Sequence, residues 1–307
     1  MSVPTTQIPA PGSLDHEYNT RLWAQDFEHT LQSHRQWGEA ARRLPGSMLD
    51  LRWGPRPRQT LDWFAPPART GPLFIFMHGG YWQYRTSGKE AVSFLAPYFV
   101  DRGAAFVAVQ YELCPDVTMD EMVTQLREAM VWIARQTSSL GFNPSRTIVG
   151  GHSAGAHLAA MMALTRWQDY DLDPGFISAA CCISGLYDLR PLISTYLNAT
   201  LRMSLESAGR VSPIHTLHPQ APSLLLAVGE LESGEFKRQT HAFGETGSSR
   251  GVQVDTHIAR GRDHYNVVRD LIETDTPLCL AATQLVFGRR DEAPIEDVDR
   301  EGSAPLG

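Results

Sequence analysis

Residues 148–160 read IVGGHSAGAHLAA, and the fold of this chain can be worked out from that stretch. At its centre lies Gly151-His152-Ser153-Ala154-Gly155, a G-x-S-x-G pentapeptide that follows a short apolar run and opens an Ala/Leu/Met-rich segment of helical composition. With 25 glycines and 21 serines in 307 residues, 21 × (25/307)² gives about 0.14 chance occurrences. The pentapeptide alone is therefore weak evidence, and its place between a strand and a helix is what gives it meaning. A serine on so sharp a turn needs neighbours without side chains, and Gly151 and Gly155 supply them. Its hydroxyl is then presented at the strand end, which makes Ser153 the candidate nucleophile.

Outward from this turn the chain alternates strand and helix. Apolar runs at residues 73–77, 104–109, 147–150, 178–184, 223–228 and 252–258 are separated by helical stretches, of which residues 119–136 and 154–166 are the clearest. Such alternation predicts a mostly parallel central sheet with helices on both faces. Upstream, residues 49–52 and 60–64 alternate like two antiparallel strands around the turn-rich Gly54-Pro55-Arg56-Pro57, and residues 15–43 carry aromatic and apolar residues at helical spacing. The domain is expected to span residues 15–290, with disordered tails at 1–14 and 291–307 and a lid-like helical insert at about 186–218 that narrows the acyl pocket.

In parallel sheets ligands sit beyond the carboxyl ends of the strands, so the residues just after each apolar run are the ones to inspect. After residue 77 comes His78-Gly79-Gly80-Tyr81-Trp82, whose Gly79 or Gly80 N–H, with that of Ala154, is suited to hold a developing oxyanion. His78 is read as a packing residue, and Tyr81 and Trp82 as rings able to stack on a substrate. After residue 228 comes Gly229-Glu230-Leu231-Glu232-Ser233. Two glutamates compete there for the acid of a triad, and Glu232 is preferred because it lies deeper in the loop, beside a Ser233 that can cap the next helix. After residue 258 the loop ends in Asp263-His264, where a histidine can take the serine proton.

Composition sets outer limits. A net charge of 27 − 34 = −7 without a basic run argues against nucleic acid or an anionic membrane as partner and for a small neutral substrate. Four cysteines without a C-x-x-C pattern suggest buried thiols, not a disulfide framework or a zinc site. No cofactor and no metal are expected. The first residues lack the pattern of a signal peptide and no stretch reaches the ~20 apolar residues of a membrane span, so a cytoplasmic setting is expected. A homodimer is left open.

The chain resembles the α/β-hydrolase superfamily, and within it the kynurenine formamidase (arylformamidase) family with its hormone-sensitive-lipase-like esterase relatives. The likeness runs through Tyr18-Asn19, Leu61-Asp62, residues 78–82, Tyr111-x-Leu113-x-Pro115, GHSAG, residues 184–189, Ser212-Pro213, residues 229–233 and Asp263-His264. His-Gly-Gly-x-Trp is the most specific part, since generic esterases of the group usually carry HGGG-type loops. The resemblance implies a serine hydrolase acting on a small acyl amide of an aryl amine, with Ser153 as nucleophile, His264 as base and Gly79 and Gly80 as oxyanion donors. Glu232 stands where many relatives carry Asp. A carboxylesterase or carbamate hydrolase of small esters is the alternative, since the same triad serves both. A hydrolase fold kept only for binding is disfavoured, because such modules usually lose a triad member.

Overall fold

The computed structural model describes residue 10 and residues 12–288. The tails expected at 1–14 and 291–307 fall mostly outside these residues; inside them, Ser13 already caps a short helix, Leu14–Glu17.

Eight strands form one sheet: β1 Met48–Arg52, β2 Thr60–Phe64, β3 Thr70–Met77, β4 Ala105–Val109, β5 Asn143–His152, β6 Ala179–Ile183, β7 Ser223–Gly229 and β8 Val254–Ala259. Their order is β1-β2-β4-β3-β5-β6-β7-β8. The hairpin strands β1 and β2 join antiparallel, and β4 through β8 run parallel. The alternation of apolar runs and helices therefore yields an α/β-hydrolase fold. Period-two side chains of β3 feed two cores. Leu73, Ile75 and Met77 pack under the helices Met119–Gln136, Ala154–Ala163 and Gly234–Ser249. Phe74 and Phe76 face Phe99 and the helix Pro277–Phe287.

Local signals start the helices. Thr118 and Glu121 form a reciprocal capping box ahead of Met119–Gln136, and Ser233 accepts from the Phe236 N–H ahead of Gly234–Ser249. Register brings the strand ends level: Met77 pairs with Gly151, Gly151 with Cys182, and Cys182 with Leu226. The loops after β3, β5, β6, β7 and β8 consequently meet along one edge.

The helix expected over residues 15–43 is broken into Leu14–Glu17, a 3-10 turn Thr20–Trp23 and the helix Phe27–Ala41. Its backbone groups bond outward instead of along a helix. The Tyr18 carbonyl accepts from the Tyr81 hydroxyl at 2.6 Å, and the Gln25 N–H donates to Asp263 at 2.9 Å. Among the described residues, no helix is long and apolar enough to cross a membrane. All four cysteines are free and buried.

Candidate active site

β5 ends in a turn that only small residues permit. A Cβ on Gly155 would lie 2.0 Å from the Met77 carbonyl oxygen, and one on Gly151 would lie 2.2 Å from the Gly155 backbone. Between them Ser153 adopts φ 58°, ψ −122°, a left-handed strained conformation held by its N–H bond to the Ile183 carbonyl at 2.8 Å. The helix Ala154–Ala163 begins immediately after it.

The β8 loop delivers His264 to this turn. Its Nε2 lies 2.9 Å from Ser153 Oγ, and its Nδ1 lies 2.6 Å from Glu232 Oε2. Because a carboxylate only accepts, the proton belongs on Nδ1, which leaves Nε2 bare to accept from the serine hydroxyl. All three side chains are buried. Glu232 Oε1 accepts from Ser184 Oγ at 2.5 Å and from the Gly229 N–H at 2.7 Å, so the carboxylate has donors on both oxygens. Glu230 is exposed and accepts from the Gly261 N–H at 2.8 Å, away from His264.

Two further groups hold the base loop. His152 Nε2–H donates to the His264 carbonyl at 2.6 Å, and burial, aided by the neighbouring His264, keeps the His152 ring well below the ordinary histidine pKa. Asp263 accepts from the N–H groups of Tyr265, Asn266 and Gln25, which ties the loop to the N-terminal segment.

The β3 loop lies against the serine. A Cβ on Gly79 would sit 3.1 Å from both Ser153 Cβ and the His152 carbonyl, and Gly80 has φ +116°. The N–H groups of Gly79, Gly80 and Ala154 make no hydrogen bond to any described residue, as donors waiting for an oxyanion would. His78 stacks on Tyr111 with ring centroids 4.3 Å apart, and burial lowers its pKa to about 4, so it packs as a neutral ring.

Tyr81 and Trp82, read from sequence as substrate-facing rings, part company. Tyr81 lines the cavity beside Ser153, whereas Trp82 is fully buried behind the loop, its Nε1 donating to His157 Nδ1 at 3.1 Å. Both residues sit at positive φ, 46° and 58°, and that coiling sends the second ring inward. The cavity over Ser153 measures about 140 Å³. Its far wall comes from Thr20, Phe27, Leu31 and His34 of the N-terminal segment. The insert at 186–218 folds into short helices and supplies no lining side chain. The covering role expected of it belongs to residues 20–34, which the sequence marked only as an amphipathic helix. Ser184 was also unassigned, although it ends an apolar run and the strand-end rule could have found it.

A mostly parallel sheet, a serine on a glycine-flanked elbow and a buried Ser-His-Glu chain define the protein as an α/β-hydrolase enzyme. The BD-FAE family model matches residues 61–243. A kynurenine formamidase of Danio rerio is 34% identical, covering 85% of this chain and 91% of that protein. Esterase LipQ of Mycobacterium tuberculosis is 28% identical, covering 73% of this chain and 58% of that protein. A Silicibacter sp. structure described as a thioesterase superimposes with a TM-score of 0.77 at 28% identity, covering 88% of this chain and 98% of that one. The chain belongs to the BD-FAE family and is a kynurenine-formamidase-like member of the α/β-hydrolase superfamily.

Proposed function

We propose that this enzyme hydrolyses the formyl, or another small acyl, amide of an aryl amine, the N-formylkynurenine type of substrate. The observation that carries this reading is the cavity. An apolar cavity of about 150 Å³ holds one benzene ring, and the space over Ser153 is about 140 Å³ with Phe27, Tyr81, Tyr84 and Tyr265 around it. It suits one flat ring beside Ser153, and a long acyl chain would compete with that ring for the same space. The likeness to the zebrafish formamidase over nearly its whole length supports the same assignment.

In this mechanism His264 Nε2 takes the proton of Ser153 Oγ as the oxygen bonds to the acyl carbon. The carbonyl oxygen becomes an oxyanion bound by the N–H groups of Gly79 or Gly80 and Ala154, and Glu232 stabilises the imidazolium. His264 then protonates the leaving nitrogen, the C–N bond breaks, and the aryl amine departs from a formyl-serine. Water, deprotonated by His264, releases formate and restores Ser153. An aryl amine leaves more readily than an alkyl amine, which suits proton donation by a histidine. The buried thiols, none in a disulfide, support a cytosolic setting.

The test is a set of initial rates on N-formylkynurenine and on p-nitrophenyl esters from acetate to octanoate. Each methylene is worth roughly 1–3 kcal/mol, so kcat/KM should fall steeply with acyl length while the formamide is cleaved well. Octanoate faster than acetate, with N-formylkynurenine untouched, would replace this reading with a carboxylesterase or carbamate hydrolase.

A further inference from the structure

The cavity has a buried end and an open one. Ser153 is 3% exposed, whereas Arg21, which lines the same cavity, is exposed. No aspartate or glutamate is among the lining residues, and Arg21 is the one lysine or arginine. Its guanidinium lies 4.6 Å from the centroid of the Phe27 ring, an arrangement that holds a cation without neutralising it. Tyr84 and Tyr265 line the same cavity, and the Arg21 charge acts on both phenols against the burial that raises their pKa. Yet it makes no ion pair and no side-chain hydrogen bond with any described residue.

An arginine in that position has five donors and no side-chain partner among the described residues. The chain as a whole carries −7, which repels anions at long range. A local cation with no carboxylate among the lining residues beside it is therefore suited to hold the carboxylate end of a substrate. We propose that Arg21 is an anion-recognising residue that sets specificity. It would take the carboxylate that ends the ring side chain of an N-formylkynurenine-type substrate. This rests on the arylformamidase reading above. The ring lies between Tyr81 and Tyr265 with its amide at Ser153, and the carboxylate reaches the guanidinium at the open end, where a planar fork can take it in a two-point contact.

The experiment compares 4-(2-formamidophenyl)-4-oxobutanoate, the N-formylkynurenine analogue without the α-amino group, with its carboxamide, so that the two differ only in the carboxylate. In the wild type the acid should have the higher kcat/KM. Arg21→Met, which keeps the stem against Phe27, should lower the acid-to-amide ratio of kcat/KM about tenfold, with the change in KM. Arg21→Lys should restore part of it, and raising salt from 50 to 500 mM should lower the wild-type ratio but not that of Arg21→Met. An acid-to-amide ratio that is the same in wild type and Arg21→Met overturns the proposal. If neither formamide is cleaved while p-nitrophenyl acetate is, the arylformamidase reading fails instead. Arg21 is then read from inhibition of the acetate reaction by phenylbutyrate and phenylbutyramide: stronger inhibition by the acid that is lost in Arg21→Met upholds the anion site, and equal inhibition in the wild type overturns it.

Discussion

Trp82 and His157 share a hydrogen bond of 3.1 Å in the buried core, and His157 Nε2–H passes the connection on to the Val211 carbonyl at 2.7 Å. Burial lowers the His157 pKa to about 4, so the ring is neutral and can accept from the indole with one nitrogen while donating with the other. The pair props the Gly79-Gly80 loop from behind. Trp82→Phe should leave His157 Nδ1 buried without a partner, at about 1–3 kcal/mol of stability, and lower kcat through the loop. The acetate-to-butyrate preference should not change, because Trp82 is no wall of the cavity. Denaturant midpoints and kcat/KM on the two esters check this, and a relaxed chain-length preference would contradict it.

Ser153→Ala should lower kcat by at least ~10⁴-fold at an unchanged melting temperature, since nucleophile and base act as one unit. His264→Ala should behave alike. The double variant should be little worse than either single one, whereas multiplicative losses would mean that the 2.9 Å contact between them carries no chemistry.

The acid has three neighbours that separate its roles. Glu232→Gln should cost far more activity than Glu230→Gln, because only Glu232 touches His264. Ser184→Ala removes one donor from Glu232 Oε1 while the Gly229 N–H remains, and should lower kcat about tenfold, or ~1.4 kcal/mol, with little change in KM. A KM effect alone would assign Ser184 to substrate binding.

Acid should unfold this protein early. Burial holds His34 at about 3 and His78 and His157 at about 4, against the ~6.5 of an unfolded histidine. Below pH ~6.5 the unfolded chain takes up protons that these folded rings refuse, so stability is full above that pH and falls as pH drops toward 4. One such histidine costs about 3 kcal/mol by pH 4, and three approach the ~5–15 kcal/mol of a whole domain. The urea midpoint should therefore fall steadily from pH 7 to pH 4.5, less so in His157→Gln. A midpoint constant over that range would count against it.

Much of this architecture was legible in the chain because its signals are local. The glycines around Ser153, the apolar runs and the polar loops that follow them are each a few residues long, and a parallel sheet places every such loop on one edge. Even the choice of Glu232 over Glu230 as the glutamate that reaches inward needed only the cap formed by Ser233, three residues before Phe236.

What lies over the cavity was decided by tertiary structure. Residues 15–43 have helical spacing, but Tyr18 and Gln25 bond to Tyr81 and Asp263, 63 and 238 positions away, and those bonds replace the helix between them. The direction of Trp82 likewise depends on two successive left-handed residues and on a partner 75 positions later, so no period in the sequence could mark it as inward. Local pattern specifies which groups reach the strand ends. Which of them face solvent, substrate or core depends on distant backbone donors and acceptors, since a buried polar group takes whichever partner the fold brings within 3 Å.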